Sequence, residues 1–170
     1  MGPKLTTRTT RRGSSSNSGF SLIELLVVVA VILIIAAIAI PNFIRSKLRA
    51  NEASTVQNVR NITTGEVVYS TTYEIGFSPD LISLGGTGIT VDQGHAGLID
   101  QVLAQGQKSG YTFTYTVLAQ DPLGHVTSYS VNADPLVQGN TGIRHFYADQ
   151  TGVIRVNDTT TAGPTDPAIQ

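Results

Sequence analysis

Between Leu25 and Ile40 no side chain is polar. Extended back to Phe20, the stretch would make a helix of about 31 Å, close to the hydrocarbon thickness of a bilayer. A carboxylate, Glu24, nevertheless sits just inside its front edge. An ionised carboxylate in hydrocarbon is unfavourable, by about 2.5–3.5 kcal/mol for Asp at a helix centre, and such residues are usually paired or functional. The stretch therefore has to satisfy two demands at once: cross or enter lipid, and give one acid a partner.

Charge is distributed unevenly around this segment. Lys4, Arg8, Arg11 and Arg12 are the charged side chains before Gly19, in a Ser/Thr-rich stretch without apolar periodicity. Basic residues ahead of the apolar run put the N-terminus on the cytoplasmic side. Removing residues 1–19 leaves seven basic against twelve acidic residues, a formal charge of −5 instead of −1. That balance argues against a nucleic-acid-binding surface, because phosphate backbones call for clustered Lys and Arg. There are no cysteines, so thiol catalysis, cysteine zinc sites and disulfide stapling are all excluded.

Two ordinary explanations account for part of the pattern. A secretory signal peptide would use the A-x-A-like site at Ala36–Ala39, but the apolar region exceeds the usual length of such a segment and does not call for a glutamate. A plain membrane anchor explains the length and leaves Glu24 unexplained. The stretch "GFSLIE", followed by the apolar run, Pro41 and "NFIRSKLRANEA", resembles the class III prepilin leader and N-terminal helix of type IV pilins and pseudopilins. The resemblance is close over residues 19 to about 60 and loose beyond.

Several expectations follow from that resemblance. Prepilin peptidase cuts between Gly19 and Phe20 and N-methylates Phe20. Glu24 of one subunit neutralises the new α-amino group of Phe20 on a neighbour, so Phe20 and Glu24 are the subunit-assembly residues. Elementary electrostatics is consistent with this, since an ion pair is far stronger in a low-dielectric bundle than in water and an unpaired charge is strongly disfavoured there. A residue without Cβ at position 19 lets a peptidase approach an extended backbone. Pro41 is expected to kink the helix, which neighbouring helices can accommodate.

Behind Pro41, the residues Phe43, Ile44, Leu48, Val56, Val59, Ile62 and Val67 recur at spacings near three and four, with Arg45, Lys47, Arg49, Glu52 and Arg60 at polar positions. This predicts one helix over 21–73, stopped by "EIGFSP". Residues 74–110 read as a connecting region with a short helix at 97–105. "GGTG" at 85–88 lacks the Lys-Ser/Thr of a phosphate loop. Tyr111, Phe113, Tyr115 and Val117 alternate on one strand face, and Thr127, Tyr129, Val131 and Ala133 on a second. "DPLGH" is a turn between them, and "IRHFYADQTGVIRVN" is a hairpin turning at 149–152.

The predicted fold is α+β: a long N-terminal helix packed on a four-stranded antiparallel sheet. Its parts are a cleaved basic leader (1–19), a transmembrane and polymerisation half-helix (20–41), an amphipathic half-helix (42–73), a connector (74–110), the sheet (111–158) and a polar, mobile tail (159–170).

No catalytic residue, metal site or cofactor is assigned. His95, His125 and His145 lie in different segments, and Asp121, Asp134 and Asp149 form no dense calcium-ligand run. The functional expectation is a structural subunit of an extracellular type IV pilus. Its partners would be further copies of itself, prepilin peptidase, minor pilins, the membrane before assembly, and inner-membrane pilus machinery. A type II secretion pseudopilin, forming a periplasmic pseudopilus with the secretion assembly machinery, satisfies the same features. A third reading is a membrane-anchored binding domain, for which Tyr111, Tyr115 and Tyr129 would supply an aromatic patch unless they are core.

Overall fold

A computed structural model describes residues 19–86 and 91–169. The basic leader up to residue 18, the second half of "GGTG" and Gln170 lie outside the described residues. Two compact units divide between Ile40 and Pro41, and both draw on one 52-residue helix, α1 (Leu22–Tyr73). Its start has a local cause. The Ser21 carbonyl accepts the Leu25 N–H, and the Ser21 N–H donates to Glu24 Oε2 at 2.9 Å. That second bond is the reciprocal half of a capping box. Pro41 lies inside the helix without ending it. At the other end, Glu74 takes a left-handed φ of 56° and Gly76 one of 83°, which turns the chain out of helical geometry.

The 41–170 unit adds α2 (Leu81–Leu84) and α3 (Gln101–Ala104), with the strands β1 (Gln107–Lys108), β2 (Tyr111–Gln120), β3 (Val126–Pro135), β4 (His145–Asp149) and β5 (Arg155–Asn157). They form one antiparallel sheet in sequential order. The α+β class is as expected, but the sheet has five strands and not four. The added strand, β1, is two residues long and joins β2 through Ser109 and Gly110, both at positive φ, as a tight primed turn requires. The short helix expected over 97–105 is restricted to Gln101–Ala104, because Asp100 caps it by accepting the Leu103 N–H. The small α2 is capped in the same way by Asp80 and was not anticipated.

The core lies between α1 and the sheet. Val59, Ile62 and Tyr69 meet Tyr111, Phe113, Tyr129, Val131 and Phe146 in one buried cluster, closed by Leu84 and Leu103. The buried seam of α1 runs Leu48, Glu52, Thr55, Val59, Ile62, Glu66, Tyr69, an unbroken alternation of four and three. Here the sequence-based stripe needs correcting. Phe43, Ile44 and Val67 are exposed, at 70%, 46% and 55%, whereas Glu52, assigned to the polar side, is buried.

Both seam glutamates are buried because loop backbones satisfy them. Glu52 accepts the N–H groups of Ile143 and Arg144 and the Arg144 Nε–H, the last at 2.8 Å. Burial raises the Glu52 carboxyl, but these donors and the Arg144 charge outweigh it and hold the group below the usual carboxylate range. Glu66 accepts the Ser78 N–H at 2.8 Å and lies 2.6 Å from Ser78 Oγ. There burial wins, and the carboxyl is pushed up.

On the sheet, the β2 face of Tyr111, Phe113, Tyr115 and Val117 points inward as expected. On β3, Tyr129, Val131 and Ala133 are buried, but Thr127 is exposed. Irregularities next to the 121–125 turn drop Leu118 and Thr127 out of the register, and such a bulge reverses which face the following residues present. The turns at Asp121–Gly124 and Asp149–Gly152 each close with the expected i to i+3 hydrogen bond, at 3.0 and 2.9 Å. The polar tail is not left free. Val156 N–H donates to Pro167 O and Ile169 N–H to Ile154 O, both at 2.9 Å, and Ala162 is buried.

Gly76 supplies a direct test of this frame. A Cβ built there would lie 2.3 Å from the Val126 carbonyl oxygen, at a φ of 83°. Both the backbone conformation and the contact penalise any side chain. Gly76→Ala is expected to destabilise the unit by about 1–3 kcal/mol, read as a lower urea midpoint for the full chain in detergent. An unchanged midpoint would contradict the loop geometry.

Candidate functional site

In the 19–40 unit the functional candidates come together on one end of a helix. Gly19 and Phe20 precede α1 in non-helical backbone, and Glu24 is in its first turn. Among the described residues, a Cβ on Gly19 would meet nothing within 4 Å. Phe20 is 86% exposed. Phe20, Ile23, Glu24, Val27 and Val28 line a single shallow depression, which places the acid beside the residue that would carry a new amine.

The helix behind this end is long and apolar enough to cross a membrane, and none of its most apolar window is buried within the chain. From Leu22 to Ile40, almost every large apolar side chain is exposed. Exposed apolar surface on this scale requires lipid or other protein to cover it. In lipid, a helix that satisfies its own backbone groups is one of the two structures that can span. A carboxylate in the first turn is also favoured by the partial positive charge of the helix N-terminus.

The remaining candidates do not assemble into a site. His95 lies 3.6 Å from Asp92, His125 2.9 Å from Asp121, and His145 2.5 Å from Asp134, three separate pairs. Asp149 accepts from Thr151 in its own turn. Among the described residues no three potential metal ligands gather. Tyr111 and Tyr129 are buried, and Tyr115 stacks on Tyr129 while its hydroxyl donates to the Ser78 carbonyl at 2.8 Å. These tyrosines are core, not a binding patch. Sequence reasoning missed the capping role of Glu24, although "SLIE" carries the S-x-x-E spacing that signals it.

The family model described as the prokaryotic N-terminal methylation motif matches residues 14–40. The chain is also 39% identical over 77 residues to the type IV major pilin protein PilA of Myxococcus xanthus (strain DK1622), an alignment covering 41% of this chain and 35% of that protein. The chain thus spans about a third of the length of the curated relative it matches. No solved structure matches it. The methylation motif coincides with the exposed apolar helix and the Gly19–Phe20–Glu24 end described above.

Proposed function

We propose that this chain, which carries the prepilin-type methylation motif and is similar to a type IV major pilin, is a structural subunit of a type IV pilus filament. Prepilin peptidase removes residues 1–19, methylates Phe20, and leaves a subunit held in the inner membrane by residues 20–41. The subunit then leaves lipid for an extracellular filament through the same helix. Methylation keeps the amine of Phe20 positive, so it still pairs with Glu24 of a neighbour. Pro41 gives the helix a kink that packing between subunits accommodates. Assembly rests on the inner-membrane pilus machinery and minor pilins, and no reaction is assigned to the chain itself.

The observation that carries this reading is the single acid set in an exposed apolar helix, directly behind the Gly-Phe junction. A signal peptide or a simple anchor requires neither the acid nor the junction. The methylation motif suits a type II secretion pseudopilin equally well, and the similarity to a major pilin favours the pilus. Intact mass and N-terminal sequencing of protein sheared from cells test the reading. The expected product begins at Phe20 and carries one added methyl group. A product that begins at Ile40, or retains Met1, overturns it.

A further inference from the structure

The 41–170 unit carries an open cleft of about 780 Å³ that the proposed assembly does not use. One wall is α1, with Arg45, Leu48, Arg49 and Glu52; the other is the β3–β4 loop, with Ile143 and Arg144. That loop is fixed to the helix. Asn51 Nδ2–H donates to the Thr141 carbonyl at 2.8 Å, Glu52 takes the Ile143 and Arg144 N–H groups, and the Tyr111 hydroxyl donates to the Arg144 carbonyl at 2.9 Å. The cleft is therefore built in advance, not left to loop motion.

Its charge is unbalanced. Glu52 is already occupied by three donors and cancels Arg144. Arg45 and Arg49 are four residues apart on one helix face, both exposed. Among the described residues neither has a carboxylate within ion-pairing distance. Asp158, also on the rim, leaves a surplus of one positive charge. Two guanidinium forks match the oxygens of a phosphate, and a surplus of one suits a singly charged phosphodiester better than doubly charged inorganic phosphate. Beside them Ile143 is 47% exposed, an apolar contact that a lipid can use and a free anion cannot. Arg45 and Arg49 follow Ile40, the last residue of the apolar run, by five and nine positions.

We infer that this cleft holds the phosphate group of an anionic phospholipid while the subunit is in the membrane. The inference rests on the membrane-anchor reading of residues 20–41. The test uses the full chain purified in neutral detergent doped with equal phosphatidylglycerol and phosphatidylcholine, with retained lipid counted by native mass spectrometry. The wild-type chain is expected to retain phosphatidylglycerol over phosphatidylcholine by about fivefold or more. The double variant Arg45→Gln/Arg49→Gln should lose that preference, while Arg45→Lys/Arg49→Lys, which keeps both charges, should retain part of it. Equal retention of the two lipids by the wild type, or an undiminished preference in the glutamine variant, overturns the site. So does inorganic phosphate binding with the same occupancy as the lipid, which would make this a free-anion site. Lipid selectivity absent together with filaments lost in the glutamine variant would assign the arginines to a neighbouring subunit instead. Insertion of the same proteins into vesicles of either lipid reports separately on the anchor.

Discussion

Glu24→Ala is expected to leave the protein in the membrane at its normal level while surface filaments disappear. The apolar run is untouched, so insertion is unaffected. In the proposed assembly, what is lost is the partner for the amine of Phe20, and removing one member of a desolvated ion pair costs about 3–5 kcal/mol. Every subunit added to a filament would carry that penalty. A competing explanation lies in the structure itself, because Glu24 also accepts the Ser21 N–H at 2.9 Å and closes the first turn of α1. Glu24→Gln separates the two roles. An amide oxygen still accepts that N–H, but it carries no charge. If pairing decides assembly, the glutamine variant fails like the alanine variant; if capping decides it, glutamine restores filaments. Sheared-filament yield on immunoblots, against membrane-fraction yield, reads the outcome. Normal filaments from the alanine variant would remove Glu24 from the assembly mechanism altogether.

The second large effect is expected at Glu66, which is fully buried. The Ser78 hydroxyl has one proton but faces two acceptors, Glu66 Oε1 at 2.6 Å and the Asp80 carbonyl at 2.9 Å. A protonated Glu66 resolves this conflict: its own O–H donates to Ser78 Oγ, and the serine proton goes to Asp80. The geometry therefore agrees with the upward displacement that burial causes. Glu66→Ala leaves the buried Ser78 N–H without its acceptor and opens a void, at a cost of about 2–4 kcal/mol. Glu66→Gln keeps an acceptor and should cost far less.

The pH dependence follows from the direction of the shift. The folded chain holds this proton more tightly than the unfolded chain, so the contribution is greatest at acid pH. It declines as pH rises from the ordinary glutamate value of about 4.3 through the raised folded value. Glu66→Gln should flatten that part of the curve, measured as urea midpoints from acid to neutral pH. Glu52 behaves in the opposite sense. Its lowered carboxyl contributes above the ordinary value, and that contribution is lost as pH falls through the depressed one. A Glu66→Gln curve parallel to wild type would show that folding does not raise the Glu66 carboxyl.

The long helix and its ends were legible because they depend on local signals: an apolar run of membrane length, and a Glu-Ile-Gly stop that needs positive φ. The alternation of β2 and the two turns were legible for the same reason. The seam of α1 was not. Its regular four-three spacing passes through Glu52, Thr55 and Glu66; the two glutamates are satisfied by donors 12 to 92 positions away, and Thr55 donates back to the Asn51 carbonyl of its own helix. Hydrophobic periodicity instead selects Phe43, Ile44 and Val67, which this single chain leaves exposed. The strand β1 was hidden by its length, although Ser109–Gly110 marks its turn. Thr127 was misplaced because a bulge has no signature in an alternating sequence. At the N-terminal end, the Gly19–Phe20 junction and Glu24 were legible as a pattern, whereas the arginine cleft was not, because its second wall comes from a distant loop.

The docking of residues 166–169 along β5 has a consequence for the kind of polymer this chain can form. An unpaired outermost strand offers a row of donors and acceptors to any other strand, the usual route to amyloid-like sideways growth. Here the backbone groups of Ile154 and Val156 are already occupied by Ile169 and Pro167. At that margin, a crowded population of subunits has no free strand to recruit.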